Sequence, residues 1–168
     1  MPVITVQDCN LEPIKALLSK FNLNLVISAD NQAIPGSWFG DSEAGLIENN
    51  IYVRKDTPIH SLLHESCHYI CMDSDRRKNL HTNAAGDYDE ENGVCYLQII
   101  LADDIPQMHQ KRMMQDMDEW GYTFRLGSAQ KWFEDDAQDT KQWLLSHKII
   151  DKNNNCLYQL REDQGTSG

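Results

Sequence analysis

The spacing of apolar residues predicts two strands and one helix in the first 27 residues of the chain. Residues 3–7 alternate apolar and polar side chains, which is typical of a half-buried strand. Apolar side chains then recur at helical spacing over 11–21, and Asn10 stands where a helix N-cap is expected. An apolar run at 23–27 predicts the second strand. The stretch 29–45, with its glycines and Pro35, predicts a loop.

A hairpin and a second helix come next in the chain. Apolar arms at 46–47 and 51–54 flank Glu48-Asn49-Asn50, which predicts a β-hairpin. The residues after the hairpin predict a helix start, with Thr57 as N-cap and Pro58 at the first helical position. The apolar side chains of this helix form an arc that predicts one face buried in a core: Ile59, Leu62, Leu63, Cys67 and Ile70.

The C-terminal half is predicted to be mainly helical. Residues 73–86 are polar and predict a loop. Helices are expected at about 87–103, from Pro106 onwards, and from Ser128 to about 147. A turn is expected at 151–155. The pattern as a whole predicts an α+β fold with a small, mostly antiparallel sheet and a helical C-terminal part.

Composition supports one domain and argues against two kinds of partner. The chain has 168 residues, 40% of them hydrophobic, which suits a single domain at 1–160 followed by a flexible polar tail at 161–168. The formal net charge of −11 disfavours binding to nucleic acid or to an anionic membrane through a basic patch. No apolar run has the length needed to span a bilayer.

The cysteines and the N-terminus predict a cytoplasmic protein. The five cysteines form an odd set, and two of them lie on the second helix, so reduced thiols are expected rather than a disulfide framework. The first six residues lack the charged start and apolar block of a signal peptide.

The strongest chemical signal is the motif His64-Glu65-Ser66-Cys67-His68. Two histidines four residues apart share one face of a helix, because four residues rotate the direction only about 40° beyond a full turn. Their imidazoles can bind one zinc ion, and the glutamate that follows the first histidine can act on a metal-activated water. The motif therefore predicts His64 and His68 as metal ligands and Glu65 as the catalytic base.

A catalytic zinc site needs a third protein ligand, and Glu90 is the predicted one. Glu90 begins an apolar stripe with Val94 and Leu97, whereas Glu91 lies about 100° round the helix, in line with Gln98. A carboxylate directed into an apolar core needs a cation, which a zinc ion at the histidine pair would supply. An ordinary acidic first turn is the alternative explanation of Glu90.

Other residues near the motif have competing interpretations. His81, in the predicted loop, is the rival third ligand. Cys71 continues the histidine face but is interpreted as a core residue, since the metal is held one turn earlier. Gly93 lowers helix propensity by about 1 kcal/mol relative to alanine, which suggests a close approach of two helices there.

With these residues in place, the stretch from about 51 to 101 resembles the zincin metallopeptidases of the gluzincin type. The resemblance consists of a strand, the His-Glu-x-x-His helix, a loop and a helix with Glu90-x-x-Gly93. It implies a zincin-like fold with zinc bound by two histidines and a glutamate. The chain departs from small members of that group at Val94, where they commonly carry Asp or Asn; Asp87 or Asp89 can substitute as the residue that orients the ligands.

The stretch 64–77 also resembles the elongation factor P hydroxylase family. The motif is followed there by an aromatic residue, here Tyr69, and by an arginine pair, here Arg76-Arg77. This second resemblance implies oxidation of a lysine side chain with iron rather than peptide cleavage. The same ligand set suits Fe(II) as well as zinc, so the ligand types leave the metal open.

The function predicted from the sequence is zinc-dependent hydrolysis of a peptide or protein substrate. His81, Tyr88 and Tyr122 are the candidates for stabilising the oxyanion. If the arm 51–54 is a sheet edge, an extended substrate can pair with it. The alternatives are the iron-dependent hydroxylase, a non-catalytic zinc-stabilised interaction domain with a fourth protein ligand, and a domain that keeps the fold without chemistry.

Overall fold

A computed structural model describes residues 2–37, 42–78 and 86–162. That part of the chain contains seven α-helices and one three-stranded sheet, so the fold is α+β as predicted. In chain order the elements are α1 (Leu11–Ser19), β1 (Asn24–Ile27), β2 (Gly45–Ile47), β3 (Asn50–Val53), α2 (Ile59–Cys71), α3 (Ser74–Lys78), α4 (Tyr88–Leu101), α5 (His109–Trp120), α6 (Ala129–Asp135) and α7 (Gln138–Ser146).

The sheet is mixed rather than mostly antiparallel. β2 and β3 form the predicted hairpin, in which Leu46 lies opposite Ile51. On its other side β3 pairs in parallel with β1, where Leu25 also lies opposite Ile51. The central strand is therefore β3, so the condition for substrate pairing with 51–54, that this arm is a sheet edge, is not met. A short turn makes the hairpin visible in the sequence, whereas the pairing of β1 depends on a long connection that leaves no local pattern.

The predicted strand at 3–7 is also absent. Thr5 forms a single bridge with Pro58, and a 3-10 helix follows at Val6–Asp8. The backbone of this segment bonds to the start of α2: the Ile59 N–H donates to the Ile4 carbonyl at 2.9 Å. Alternating side chains here reflect one buried residue, Val6, rather than a pleated strand.

Helix α2 lies beneath the sheet and packs against α4 on its other side. Its predicted apolar arc is confirmed, since Ile59, Leu62, Leu63, Cys67 and Ile70 are all fully buried. Cys71 is buried as well, in agreement with its interpretation as a core residue. The helix begins one residue later than predicted, because the Thr57 hydroxyl accepts from the Arg54 N–H at 2.9 Å instead of capping the helix.

The helices after α2 support it from the C-terminal side. Residues 74–78, predicted as loop, form the short helix α3; the rest of that loop, 79–85, lies outside the described residues. Gly93 of α4 packs against α7, where an added Cβ would lie 2.8 Å from the Trp143 ring, so the expected close approach of two helices is present. The predicted helix at 128–147 divides into α6 and α7, although Ser128 caps it as expected.

The last described residues are bonded to the domain. Arg161 donates from its backbone N–H to the Ile70 carbonyl at 2.9 Å, and Glu162 donates to the His147 carbonyl at 2.9 Å. The segment predicted to be a flexible tail from residue 161 thus begins with two residues bonded to α2 and to the residue that follows α7. Within the described ranges, no helix has both the length and the apolar character needed to cross a membrane.

All five cysteines are free thiols, and we expect them to stay so in the purified protein. Alkylation of the denatured protein without reductant should add five labels, because no pair is bridged. Intact mass spectrometry measures the number of labels. A species with only three labels, which gains two after reduction, would contradict this arrangement.

Candidate metal centre

Helix α2 brings His64 and His68 to one point, one turn apart. Their Nε2 atoms lie 3.2 Å from each other. Two nitrogens bound tetrahedrally to one zinc ion, each at 2.0–2.1 Å, are separated by roughly 3.3 Å. The spacing of the imidazoles therefore already fits a shared metal ion, as the motif predicts.

The third group at this point is Glu91 of α4. Its Oε2 atom lies 3.5 Å from His68 Nε2. One ligand atom from each of His64, His68 and Glu91 lies within 4.8 Å of the other two. Two imidazoles and one carboxylate are a donor set used by catalytic zinc and by non-haem iron.

Glu90, the ligand predicted from the sequence, is engaged elsewhere. It is only 2% exposed, as the helical phase argument required. Its carboxylate accepts two bonds from the Arg76 guanidinium, at 2.7 and 2.9 Å, and a third from Arg161 at 3.2 Å. A buried carboxylate does need a cation here. Two guanidinium groups supply it, and the structure does not bring Glu90 to the histidine pair.

Gln98 explains why the face of α4 that carries Glu91, rather than the adjacent face with Glu90, meets the histidines. It is fully buried, two turns beyond Glu91 on the same face. Its Nε2 donates to the His60 carbonyl at 2.9 Å, which leaves Oε1 as an acceptor 2.9 Å from His64 Nδ1. His64 therefore carries its proton on Nδ1 and presents the lone pair of Nε2 to the metal position. Such a bond to the far nitrogen is typical of metal-binding histidines.

The second histidine is also suited to a metal. His68 is 5% exposed, and within the described part of the chain its Nδ1 atom is buried without a hydrogen-bond partner. Burial lowers the pKa of both His64 and His68, although Gln98 and nearby carboxylates oppose the shift at His64. Both rings are thus neutral near pH 7, which is the form that binds metals.

Glu65 does not join the three ligands but faces a pocket beside them. The pocket has a volume of about 310 Å³ and is lined by Glu43, Ser61, His64, Glu65, Trp120, Gly121 and Tyr122. Burial raises the pKa of Glu65 to about 8, and the charges of Glu43 and Glu91 add to that effect. The pocket therefore joins an acid–base group to the metal position.

The structure distinguishes between two of the three residues predicted as candidates for stabilising the oxyanion. Tyr122 lines the pocket, and its hydroxyl lies 3.2 Å from His60 Nδ1 and 3.5 Å from Gln98 Nε2. Burial raises the pKa of Tyr122, so its hydroxyl stays protonated. Tyr88 is 77% exposed on another face of the protein. His81 lies outside the described residues.

The group that orients the ligands differs from the one expected. Asp87 caps α4 by accepting from the Glu90 N–H at 2.9 Å, and Asp89 is exposed. Neither residue therefore orients a metal ligand, as had been suggested for them. Gln98 has that role, through its bond to His64. Gln98 was detectable only through its helical phase with Glu91. No motif marked the other pocket residues: Ser61 lies on α2 one turn before His64, whereas Glu43 and Trp120 come from other parts of the chain.

Comparisons with known proteins found no family model, no curated protein and no solved structure that matches this chain. The function of the protein therefore has to be inferred from the geometry of this site, and the resemblances to zincins and to elongation factor P hydroxylase stay predictions.

Substitution of the two adjacent glutamates should separate metal binding from stability. We expect Glu91→Ala to lose most of the bound metal, since it removes one of three ligands. Glu90→Ala should retain the metal but lower the free energy of unfolding by about 3 kcal/mol, at the low end for a broken buried pair because Arg76 is 35% exposed. Metal stoichiometry and urea unfolding measure the two effects. Metal loss in Glu90→Ala but not in Glu91→Ala would restore the sequence prediction.

Removal of the bond to His64 should weaken metal binding without removing a ligand. Gln98→Met keeps a similar side-chain length and eliminates both amide bonds. We expect the metal affinity to fall about 10- to 100-fold, which is typical when the orienting partner of a ligand is lost. Competition with a chelator of known affinity measures the change. A variant that is less stable but binds metal as tightly as the wild type would show that Gln98 serves packing alone.

Proposed function

We propose that this protein is a metal-dependent hydrolase that cleaves a peptide or amide bond in a peptide or protein substrate. The observation that carries the proposal is the joint placement of His64, His68 and Glu91 around one point, with Glu65 in the adjoining pocket. Nucleic acid and membranes are not among the proposed partners, because the net charge of the chain disfavours both.

His64, His68 and Glu91 would hold the metal, and their nitrogen and oxygen donors suit zinc. When bound in such a site, zinc polarises a carbonyl group and lowers the pKa of a water molecule towards about 7. Gln98 keeps His64 in the required tautomer, which reserves its Nε2 atom for the metal.

Glu65 acts as the general base. It lies about 100° round α2 from His64, so it faces the pocket rather than the point between the imidazoles. In this position Glu65 accepts a proton from the attacking water and later passes it to the leaving amine. Tyr122 is the favoured residue for stabilising the oxyanion, because it lines the same pocket and its hydroxyl stays protonated; to donate to the oxyanion, the hydroxyl would have to turn from His60 Nδ1.

The proposal includes a zincin-like arrangement and a location. The sheet beside α2, the histidine motif on α2 and a carboxylate of α4 near the histidines support this part of the proposal, although that carboxylate is Glu91 and not the Glu90 on which the zincin resemblance rested. Substrate addition to β3 is not part of the proposal, because both edges of that strand are paired. We place the activity in the cytoplasm, where five free thiols stay reduced.

An iron-dependent hydroxylase is the second candidate. The observation in its favour is the ligand set itself, since two histidines and one carboxylate also bind Fe(II) in oxygenases. A zinc-stabilised interaction domain is less well supported: in the described ranges the cluster contains three ligands, and a closed structural site needs four.

The decisive experiment compares wild type with Glu65→Gln, which keeps the size of the side chain and removes the base. We expect the variant to retain its metal content and melting temperature but to hydrolyse peptides about 10²- to 10⁴-fold more slowly. Cleavage of a mixed peptide library, followed by mass spectrometry, measures the rate. Glu12→Gln, at an exposed site on α1, is the matched control and should behave as wild type.

Each other outcome points to a different function. Metal loss in Glu65→Gln would make Glu65 a structural residue and would overturn its role as base. Oxygen consumption by the iron-loaded wild type, without peptide cleavage, would support the hydroxylase. A metal with four protein ligands and neither activity would identify an interaction domain.

A further inference from the structure

A fixed carboxylate, Glu43, lines the same pocket as His64 and Glu65. Its Oε2 atom accepts from the Ser61 hydroxyl at 2.6 Å, and its Oε1 atom accepts from Trp120 Nε1 at 2.8 Å. Ser61 is held in turn, because its Oγ accepts from the Ala44 N–H at 2.9 Å. Groups from α2, from the end of α5 and from the residue before β2 therefore orient this one side chain.

Among the described residues, no basic side chain balances the negative charge of Glu43. Both of its hydrogen-bond donors are neutral, and among the ion pairs of the described residues none includes Glu43. Glu65 faces the same pocket and likewise forms none of these pairs. Glu43 therefore adds a negative charge to this pocket, beyond that of the ligand Glu91.

The spacing along α2 relates Glu43 to the reacting centre. Ser61 and Glu65 are four residues apart, so they lie on one face with their Cβ atoms about 5–6 Å from each other. Glu43, bonded to Ser61, therefore sits about one helical turn from the general base. That distance corresponds to a group close to the scissile bond rather than to a remote part of the substrate.

Aromatic rings also line this pocket. Trp120 is 43% exposed although its Nε1–H is bonded to Glu43, which fixes the plane of the indole ring. The Glu43 carboxylate thus lies at the Nε1–H edge of the indole ring. A carboxylate next to an aromatic ring can bind a protonated amine through a charge-assisted hydrogen bond, and an amine that also reaches the ring face gains a cation–π contact. The volume of about 310 Å³ is at the small end for ligand pockets, and it suits a single residue of a substrate.

We propose that Glu43 is a specificity-determining residue that binds a protonated amine of the substrate next to the scissile bond. The amine is either the α-amino group of a peptide or the side chain of a basic residue. This inference rests on the proposed hydrolase function for its biological meaning, but the binding of an amine is measurable without catalysis.

Four small probes test the site on the full chain, first without zinc, where the proposed hydrolysis does not occur, and then with added zinc. L-Lysinamide carries two amines, norleucinamide carries only the α-amine, Nα-acetyl-lysinamide carries only the side-chain amine, and Nα-acetyl-norleucinamide carries none. Calorimetric titration measures their affinities. We expect at least one of the two single-amine probes to bind about tenfold or more tightly than the probe with no amine, as a charge-assisted bond allows, and the tighter one identifies the source of the amine.

Glu43→Gln is the variant that tests the residue. Glutamine keeps the side-chain size and an oxygen that can accept from Trp120, while it removes the charge. We expect the preference for amines to fall about tenfold or more in Glu43→Gln, with the affinity for the neutral probe unchanged. Glu119→Gln removes the same charge from the exposed neighbour of Trp120 and should preserve the preference.

The outcomes separate this inference from the proposed function. If amines bind through Glu43 but no peptide is cleaved, the hydrolase proposal fails and the amine site stands. If peptides are cleaved but the amine probes bind no better than the neutral one, the amine site is refuted. Amine binding that requires zinc and is unchanged in Glu43→Gln would place the amine on the metal, and it would also refute the inference.

Discussion

The contact between α2 and α4 is the constraint on which the site depends. One face of α4 supplies Gln98 and Glu91 to the two histidines of α2, and the adjacent face supplies Glu90 to Arg76 and Arg161. Buried imidazoles and carboxylates are costly unless they are paired. The rotation of α4 and its position along α2 therefore have to allow both sets of contacts at once. Gly93 lets α7 pack closely on the far side of α4, which helps to hold α4 in that position.

Local patterns in the sequence predicted much of the scaffold. The apolar arc of α2, the hairpin of β2 and β3, and the caps Asn10 and Ser128 all follow from periodicity and short-range hydrogen bonding, and all are present. The parallel pairing of β1 with β3 was not predictable in this way. It joins residues about 26 positions apart without a short turn between them, so no local signal reports it.

The candidate site likewise has features that local sequence predicts and features that depend on residues distant in the chain. The relative positions of His64, Glu65 and His68 follow from the sequence alone, because all three lie on one helix. The choice between Glu90 and Glu91 was different. Helical phase correctly predicted that Glu90 is buried, but the cation that balances it is found on α3 and in the C-terminal segment rather than at the histidines. Which of two adjacent acids meets a metal is decided by partners distant in sequence, and only the folded chain brings those partners together.

The charges around the pocket connect the metal proposal with the amine proposal. Glu43, Glu65 and Glu91 lie close to two neutral imidazoles, and among the ion pairs of the described residues none joins Glu43 or Glu65 to a basic side chain. A divalent ion between the imidazoles would balance two of the three negative charges, and a nearby positive charge favours the ionised form of Glu65 that a general base requires. One negative charge then remains at Glu43, where neutral donors orient it without neutralising it. A substrate that brings a protonated amine completes the balance, so the electrostatics of the pocket favour a cation from the substrate in addition to the metal.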